Sequence, residues 1–159
     1  MCGRFSLTQR LEVLERIFRA KARNRIVLPR YNIAPTQPIV AICNDEPQII
    51  QEVQWGLQAF QRNGAPPKLL VNAKAETLRE RSMYASLFES RRCLILADGF
   101  FEWETRAGKR YPRYFRHRDG QPFAFAGLYD EQAEKRHAVI ITTQANTTVS
   151  RSHNRMPVM

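Results

Sequence analysis

The pattern of apolar and polar residues predicts helices in two stretches of the chain. In the first, residues 7–18, apolar side chains recur every three or four positions and form one face. That face consists of Leu7, Leu11, Leu14 and Phe18. Ser6 and Gln9 can form a capping box at its start. The second helix is predicted over about residues 76–89. Both helices are short, so most of the chain must fold in another way.

Short apolar or alternating runs, separated by turn residues, predict strands over much of the remaining chain. The predicted strands are residues 39–43, 48–55, 69–71, 93–97, 98–104, 111–117, 123–129 and 138–143. The predicted loops between them include residues 19–30, 31–38, 61–68 and 144–154. Because strands joined by tight turns pair in antiparallel fashion, we predict an α+β fold. It is a single domain, residues 1–159, with a curled, barrel-like and mainly antiparallel sheet flanked by helices.

One predicted strand, residues 98–104, contains charged residues among aromatic ones. Its alternation places Phe101 and Trp103 on one side and Glu102 and Glu104 on the other. A carboxyl group inside an aromatic strand can act as an acid or a base. A glutamate in a strand more commonly faces solvent, so the position alone does not decide between the two interpretations.

The composition is strongly basic. Lysine and arginine together number 25 against 15 aspartate and glutamate, which gives a formal net charge of +10. Such a surface attracts polyanions because phosphate binding releases counterions. The charge therefore indicates a nucleic acid partner, although a solvated basic surface has the same composition.

The cysteines and the hydropathy narrow the class of protein. Cys2, Cys43 and Cys93 are far apart and form no CxxC pair, so we expect neither a disulfide framework nor a metal site, and no cofactor. No apolar run approaches about 18 residues, which argues against a signal peptide and a membrane span. We therefore expect a cytoplasmic protein, which would be associated with the nucleoid if it is bacterial. We also expect it to be a monomer.

Cys2 has chemistry that no other position in the chain offers. Removal of Met1 would leave a cysteine with both a free α-amine and a thiol. An aldehyde reacts with such a pair at the amine to give a Schiff base, and the thiol then closes a thiazolidine ring. The α-amine titrates near about 7.7–8.0 and the thiol near about 8.5, so we expect reactive forms of both at neutral pH.

Three further residues are candidates for chemistry beside Cys2. Asn72 ends an apolar run, Glu102 lies in the aromatic strand, and His153 lies in a polar loop. They offer an orienting amide, an acid or base, and an imidazole that titrates near neutrality. Each also has a simpler interpretation: Asn72 as a helix cap, Glu102 as a solvent-facing residue, and His153 as a surface residue.

Several short motifs, taken together, resemble the SRAP family of SOS-response-associated peptidases, which act as abasic-site processing proteins. They occur in the family's order over essentially the whole chain. The motifs are Met-Cys-Gly-Arg-Phe at 1–5, Tyr-Asn-Ile-Ala-Pro-Thr-Gln at 31–37, Trp-Gly-Leu at 55–57, Asn-Ala-Lys-Ala-Glu-Thr at 72–77, Gly-Phe-Phe-Glu-Trp at 99–103, Phe-Ala-Gly-Leu-Tyr at 125–129 and His-Asn-Arg-Met-Pro at 153–157.

The resemblance implies a role for each candidate. Cys2, exposed by self-removal of Met1, would crosslink to the aldehyde of an abasic site in single-stranded DNA. Asn72 would position the sugar or the Cys2 terminus, and Glu102 would transfer protons around the Schiff base. His153 would assist ring opening and reversal of the link. The enzyme would then be lyase-like, with autopeptidase activity.

The resemblance also implies a DNA-binding surface. The expected DNA-binding residues are Arg4, Pro35, Trp55, Lys74, Trp103 and Arg155. The basic residues of this set would hold phosphates flanking the lesion, and the proline and tryptophans would stack on exposed bases. From the sequence alone, both tryptophans are more commonly core or half-buried sheet residues.

The chain departs from the family pattern at three places. Lys74 stands where the family usually has arginine, which keeps the charge but removes the bidentate fork. Asn154 replaces an acidic residue common in the last motif. The family generally continues with a further strand and helix beyond that motif, so the chain is short relative to the family at its carboxyl end.

Two other functions are compatible with the same residues. The chain could be a peptidase or amidase that uses Cys2 on substrates in trans, with the amine as base. It could also be a non-enzymatic binder of single-stranded DNA that uses charge and tryptophans only. The aminothiol terminus together with Glu102 and His153 favours the crosslinking enzyme, because a passive binder has no use for them.

Overall fold

The structure is a computed structural model and describes residues 2–59 and 64–159. Within these ranges the chain forms two α-helices, α1 (Leu11–Phe18) and α2 (Ser82–Ser90). The strands are β1 (Arg4–Leu7), β2 (Lys21–Ala22), β3 (Arg30–Ile33), β4 (Pro38–Cys43), β5 (Ile49–Trp55), β6 (Leu57–Ala59), β7 (Lys68–Leu70), β8 (Asn72–Lys74), β9 (Arg92–Ala97), β10 (Gly99–Arg106), β11 (Lys109–Phe115), β12 (Phe123–Gln132), β13 (Lys135–Gln144) and β14 (Arg155–Pro157).

Five strands close into a barrel in the order β5-β4-β9-β12-β13. The pairs along this path are antiparallel, and a parallel pairing of β13 with β5 closes it through Ala138 and Trp55. β8 and β14 extend the sheet from β13, and β2 pairs with β5. The predicted barrel-like, mainly antiparallel sheet with two helices is confirmed.

A second sheet, in the order β11-β10-β1-β3, packs against the barrel. Its pairings are antiparallel. The contact is aromatic: the Phe5 ring lies edge-on to Trp55 at 5.1 Å and to Phe125 at 5.5 Å, and Phe100 lies 6.1 Å from Phe125. This packing buries Phe5 of β1 between the second sheet and the barrel.

The first predicted helix is wrong at its start. Leu7 belongs to β1, and α1 begins at Leu11 after Arg10, which makes no side-chain capping bond. The predicted capping box is absent because Ser6 donates its hydroxyl to Asp98 at 2.6 Å instead. Backbone pairing with β3 and β10 therefore outweighs the helical spacing of the apolar residues in this segment.

The second predicted helix also begins later than expected. Residues 72–74 are the strand β8, a short 3₁₀ turn covers Ala75–Thr77, and α2 starts only at Ser82. α2 packs on the outside of the barrel, where Tyr84 and Leu87 are buried against Leu128 and neighbouring residues. Asn72 consequently lies in a strand, which excludes its interpretation as a helix cap.

Several segments without a strand prediction form strands of the sheets. Lys21–Ala22 in the predicted basic loop and Arg30–Ile33 at the predicted proline loop form β2 and β3, and Arg155–Pro157 forms β14. Of the predicted loop at residues 61–68, residues 61–63 lie outside the described residues. No helix in the described part of the chain is long and apolar enough to cross a membrane.

Candidate active site at the amino terminus

Cys2 lies two residues before the first residue of β1, Arg4, and is fully buried. β1 pairs with β10 through Arg4 and Phe101. Extending this antiparallel register brings Cys2 alongside the Glu102–Trp103 segment. The backbone carbonyl of Cys2 accepts a 3.0 Å hydrogen bond from Nδ2 of Asn72, so the residue is held from the barrel side as well.

Asn72 begins β8, which runs parallel to β13 from Ile140 onward. The carbonyl of the preceding residue, Val71, accepts bonds from the Ile140 amide and from the Trp55 indole. While Nδ2 of Asn72 bonds Cys2, its Oδ1 is buried and has no hydrogen-bond partner among the described residues. A buried acceptor of this kind beside a candidate nucleophile is available to a donor on a substrate.

Glu102 lies in β10 and is only 1% exposed, so the solvent-facing interpretation is wrong. Burial raises the pKa of its carboxyl group, and the positive field of His153 opposes that rise. A carboxyl group with a raised pKa is protonated at higher pH than an ordinary glutamate and is suited to donating a proton.

His153 follows a 3₁₀ turn at Val149–Arg151 and is half-buried. Its backbone amide donates to the Val149 carbonyl, and its Nδ1 accepts a 3.0 Å bond from the amide of Arg155. Because an accepting Nδ1 carries no proton, a neutral His153 ring has its proton on Nε2. The loop thus fixes the tautomer of the neutral His153 imidazole.

The Cys2 thiol differs from the expectation of a reactive form at neutral pH. Burial raises the pKa of the Cys2 thiol, and the nearby Glu102 carboxylate raises it further. The thiol is therefore protonated at neutral pH, and reaction of the sulfur requires a group that accepts its proton. Contact and electrostatic interactions bring together all four residues expected to be catalytic, Cys2, Asn72, Glu102 and His153.

The whole chain, residues 1–159, matches the model of the family described as "SOS response associated peptidase (SRAP)". The chain belongs to the SRAP family. A curated relative, the abasic site processing protein YoaM of Bacillus subtilis, is 33% identical to the chain. The alignment is 172 positions long and spans 100% of the chain and 74% of the relative. The abasic site processing protein YedK of Escherichia coli is 29% identical over 100% of the chain and 75% of the relative.

A solved structure supports the same fold. A protein from Bacteroides thetaiotaomicron superimposes with a TM-score of 0.84 at 21% identity, over 98% of the chain and 75% of that protein. At this identity the likeness concerns the fold alone. It agrees with the barrel and flanking elements described above.

The basic residues expected to bind DNA in this SRAP chain differ in their availability. Arg155 forms a two-point ion pair with the Glu76 carboxylate, at 2.7 and 2.9 Å, and also donates to the Thr142 carbonyl at 2.5 Å. The same pair holds the pKa of Glu76 at about 2. Lys74 is exposed at the end of β8, and Arg4 donates to Asn32 at 2.9 Å.

Trp55 does not lie where a base-stacking residue of an SRAP protein would be expected. It is fully buried, packs edge-on against Phe5, and donates its indole N–H to the Val71 carbonyl at 3.0 Å. Its predicted contact with DNA bases is therefore corrected to a core role in this conformation. Pro35 is half-buried in the turn after β3, and Trp103 is half-exposed on β10.

A cleft of about 260 Å³ adjoins the candidate site at Asn72 and runs along β7 and β8. Asn72 and Lys74 line it together with Arg81 and Tyr84, which the sequence analysis did not single out. Their sequence signal is only that a basic and an aromatic residue lie within the helix predicted over residues 76–89. Within residues 2–59 and 64–159, no group of three or more His, Cys, Asp or Glu side chains could hold a metal ion.

Proposed function

We propose that the chain processes abasic sites by forming a covalent thiazolidine link between Cys2 and the ring-opened sugar in single-stranded DNA. Removal of Met1, by hydrolysis of one peptide bond, would first free the α-amine of Cys2. The observation that carries the proposal is the position of Cys2, bonded by Asn72 and within the electrostatic field of the buried Glu102. The names of the relatives YoaM and YedK support the same substrate.

The link forms in two steps that release one water molecule. The amine of Cys2 attacks the C1′ aldehyde, and the carbinolamine loses water to give an imine. The Cys2 sulfur then adds to the imine carbon, and the thiol proton ends on the ring nitrogen. Neither step needs an oxidant or a reductant, because no atom changes its oxidation state overall.

Glu102 and His153 supply the proton transfers in this scheme. With a raised pKa, Glu102 can protonate the leaving hydroxyl of the carbinolamine and then accept the proton of the thiol. The Nε2 proton of His153 is suited to the sugar oxygen during ring opening. Asn72 holds the Cys2 carbonyl, which orients the amine and sulfur toward one carbon.

The test is adduct formation with a single-stranded oligonucleotide that carries one abasic site. We expect the wild-type protein to give one adduct, whose mass equals that of the protein without Met1 plus the DNA minus one water. Cys2→Ala should give none, and an intact strand of the same sequence should give none with either protein. An adduct that survives Cys2→Ala would contradict the proposal.

The peptidase hypothesis has one observation in its favour, the word peptidase in the family description. Removal of Met1 is a peptidase reaction within the chain and accounts for that word without a substrate in trans. Turnover of added peptides by the processed protein, abolished in Cys2→Ala, would favour the alternative. Equal non-covalent binding of abasic and intact strands, with no adduct, would favour the passive binder.

A further inference from the structure

The outer face of the second sheet carries aromatic and basic side chains, of which only Arg4 and Trp103 are expected from the sequence to bind DNA. In the β1-β10-β11 register, Phe5, Phe100 and Phe115 form one cross-strand row, and Phe5 and Phe100 are buried against the barrel. The adjacent row, Arg4, Phe101 and Tyr114, must point to the opposite side because successive side chains alternate. That side faces away from the barrel.

Two pairs of flat side-chain groups already lie in contact on this outer face. The rings of Phe101 and Tyr114 lie 4.8 Å apart, and the Arg110 guanidinium lies over the Trp103 ring at 5.6 Å from its centre. Phe101 and Trp103 are two residues apart on β10, a step of about 6.6 Å along a strand. The two pairs therefore present neighbouring stacking surfaces in one line.

The ring of Tyr114 is held in place but remains accessible. Its side chain is 44% exposed, and its hydroxyl lies 2.8 Å from the Ser6 hydroxyl. Gly99 makes room for it, since a Cβ at that position would lie 2.2 Å from the Tyr114 hydroxyl oxygen. A ring fixed in this way loses little side-chain entropy when a second flat group stacks on it.

The charges of the hairpin are divided between its two faces. On the inward-facing side, Glu104 forms ion pairs with Arg106 and Arg113. On the outer face, the residues of β1, β10 and β11 include no acidic side chain, and Arg110 forms no ion pair within the described residues. The charge of Arg110 also acts on the buried Glu102, and a cation beside aromatic rings fits a chain of bases and phosphates.

The outer face is also continuous with the candidate site. Arg4 is two residues from Cys2, and Trp103 follows Glu102 directly. We propose that Phe101, Arg110 and Tyr114, with Trp103, bind the nucleotides of a single strand next to the abasic site, by stacking on bases and by one phosphate contact. The inference rests on the proposed function, because it places the lesion at Cys2.

The test measures equilibrium binding of an intact single-stranded oligonucleotide, which has no aldehyde and cannot react. Fluorescence anisotropy should show that Tyr114→Leu and Phe101→Leu each raise Kd about 5- to 100-fold. Tyr114→Phe keeps the ring and loses only the hydroxyl contact with Ser6, so it should bind as the wild type does. Arg110→Gln should reduce the slope of log Kd against log salt by about 0.7.

Matched controls are available on the opposite face of the same strand. Tyr111 is 45% exposed, almost equal to Tyr114, and Arg113 is paired with Glu104. Tyr111→Leu and Arg113→Gln should leave Kd and its salt slope near wild-type values. Thermal unfolding of every variant should show that each is folded at the temperature of the binding measurement.

The outcomes separate the inference from the proposed function. Failure of the wild type to bind the intact strand, equal losses for Tyr111→Leu and Tyr114→Leu, or a loss in Tyr114→Phe as large as in Tyr114→Leu would each overturn the inference. Adduct formation with an abasic strand is scored separately, at saturating DNA. Its absence in the wild type would overturn the proposed function whatever the Kd values are.

Discussion

Nδ2 of Asn72 donates a 3.0 Å hydrogen bond to the carbonyl oxygen of Cys2, a residue 70 positions earlier in the chain. The bond joins the residue just outside β1 to β8 of the barrel sheet. Cys2 is therefore held by the second sheet through β1 and by the barrel sheet through Asn72. The same side chain keeps a buried Oδ1 that has no partner among the described residues. Asn72 can therefore position Cys2 with one end of its amide and meet a substrate with the other.

Asn72→Ala should slow adduct formation by roughly 10- to 100-fold, because Cys2 loses the contact that orients its amine and sulfur. The affinity for an intact single strand should change little, and the free energy of unfolding should fall by about 0.5–1.5 kcal/mol. Single-turnover measurements at saturating DNA would give the rate constant of the covalent step.

Asn44→Ala is the matched control for Asn72→Ala. Asn44 also makes structural bonds through both ends of its amide, to the Ser90 carbonyl and the Arg92 amide, but lies away from Cys2. It should lower stability by a similar amount without changing the rate constant. Equal rate losses in the two variants would show that Asn72 acts through general stability only.

The buried Glu102 makes the stability of the protein depend on pH in a definite direction. Its pKa is raised from the ordinary value of 4.5, chiefly by burial. Between that value and the raised one, the folded protein keeps a proton that the unfolded chain has released. The free energy of unfolding therefore falls as pH rises through this window. Glu102→Gln should remove the fall, as urea unfolding at a series of pH values would show.

Glu104 lies on the same strand and should make the free energy of unfolding depend on pH in the opposite direction, which Glu104→Gln would test. Hydrogen bonds from Arg106 and Arg113 lower the pKa of Glu104, so its contribution to stability is present above the ordinary carboxyl pKa and is lost as pH falls. The Gln variant should differ from the wild type mainly above the acid range. If both variants shifted the same limb of the pH curve, the assignment of Glu102 as a buried, proton-holding group would be wrong.

Glu76 competes with DNA for Arg155 if that arginine binds a phosphate. The carboxylate holds the guanidinium at two points, and Nε of Arg155 is buried without a partner among the described residues. Glu76→Gln should therefore lower Kd for single-stranded DNA and increase its salt slope by about 0.7, the value for one additional phosphate contact. Anisotropy titrations at several salt concentrations would measure both quantities.

A neighbouring glutamate separates this effect from a general change in charge. Glu80→Gln removes the same charge from the same segment, but Glu80 forms no ion pair within the described residues. It should change Kd less than Glu76→Gln and leave the salt slope unchanged. Identical behaviour of the two variants would mean that Arg155 remains with the protein and does not contact a phosphate.

The barrel could be predicted in part because two of its antiparallel pairs, β4 with β5 and β12 with β13, are hairpins between strands that follow each other in the sequence. Its closure could not, since the parallel pairing of Ala138 with Trp55 joins residues far apart in the chain. The early start assigned to α1 was wrong because the apolar spacing of Leu7 fits a helix as well as the strand it forms. Local pattern does not report which distant backbone a segment will pair with.

The candidate site, like the barrel, could be predicted from the sequence only in part. The chemistry of Cys2 follows from its position in the sequence, whereas its contact with Asn72 and the burial of Glu102 depend on two sheets meeting. Alternation correctly placed Glu102 on the side opposite Trp103, but only the fold decides that this side is buried. Trp55 was expected at the DNA surface because of its motif, and its indole instead fills the space between the sheets.

The two tryptophans should consequently respond to substitution in opposite ways. Trp55→Phe removes a fully buried ring area and the bond to the Val71 carbonyl, so it should lower the free energy of unfolding by about 1–3 kcal/mol. The affinity for single-stranded DNA should stay near the wild-type value while the protein is folded.

Trp103→Leu should raise Kd about 5-fold or more and change stability by less than about 1 kcal/mol, because the ring is half-exposed. Urea unfolding and anisotropy on the same preparations would give both quantities. A large loss of DNA affinity in folded Trp55→Phe would mean that DNA binding opens the contact between Trp55 and Phe5, and that the core assignment holds only for the free protein.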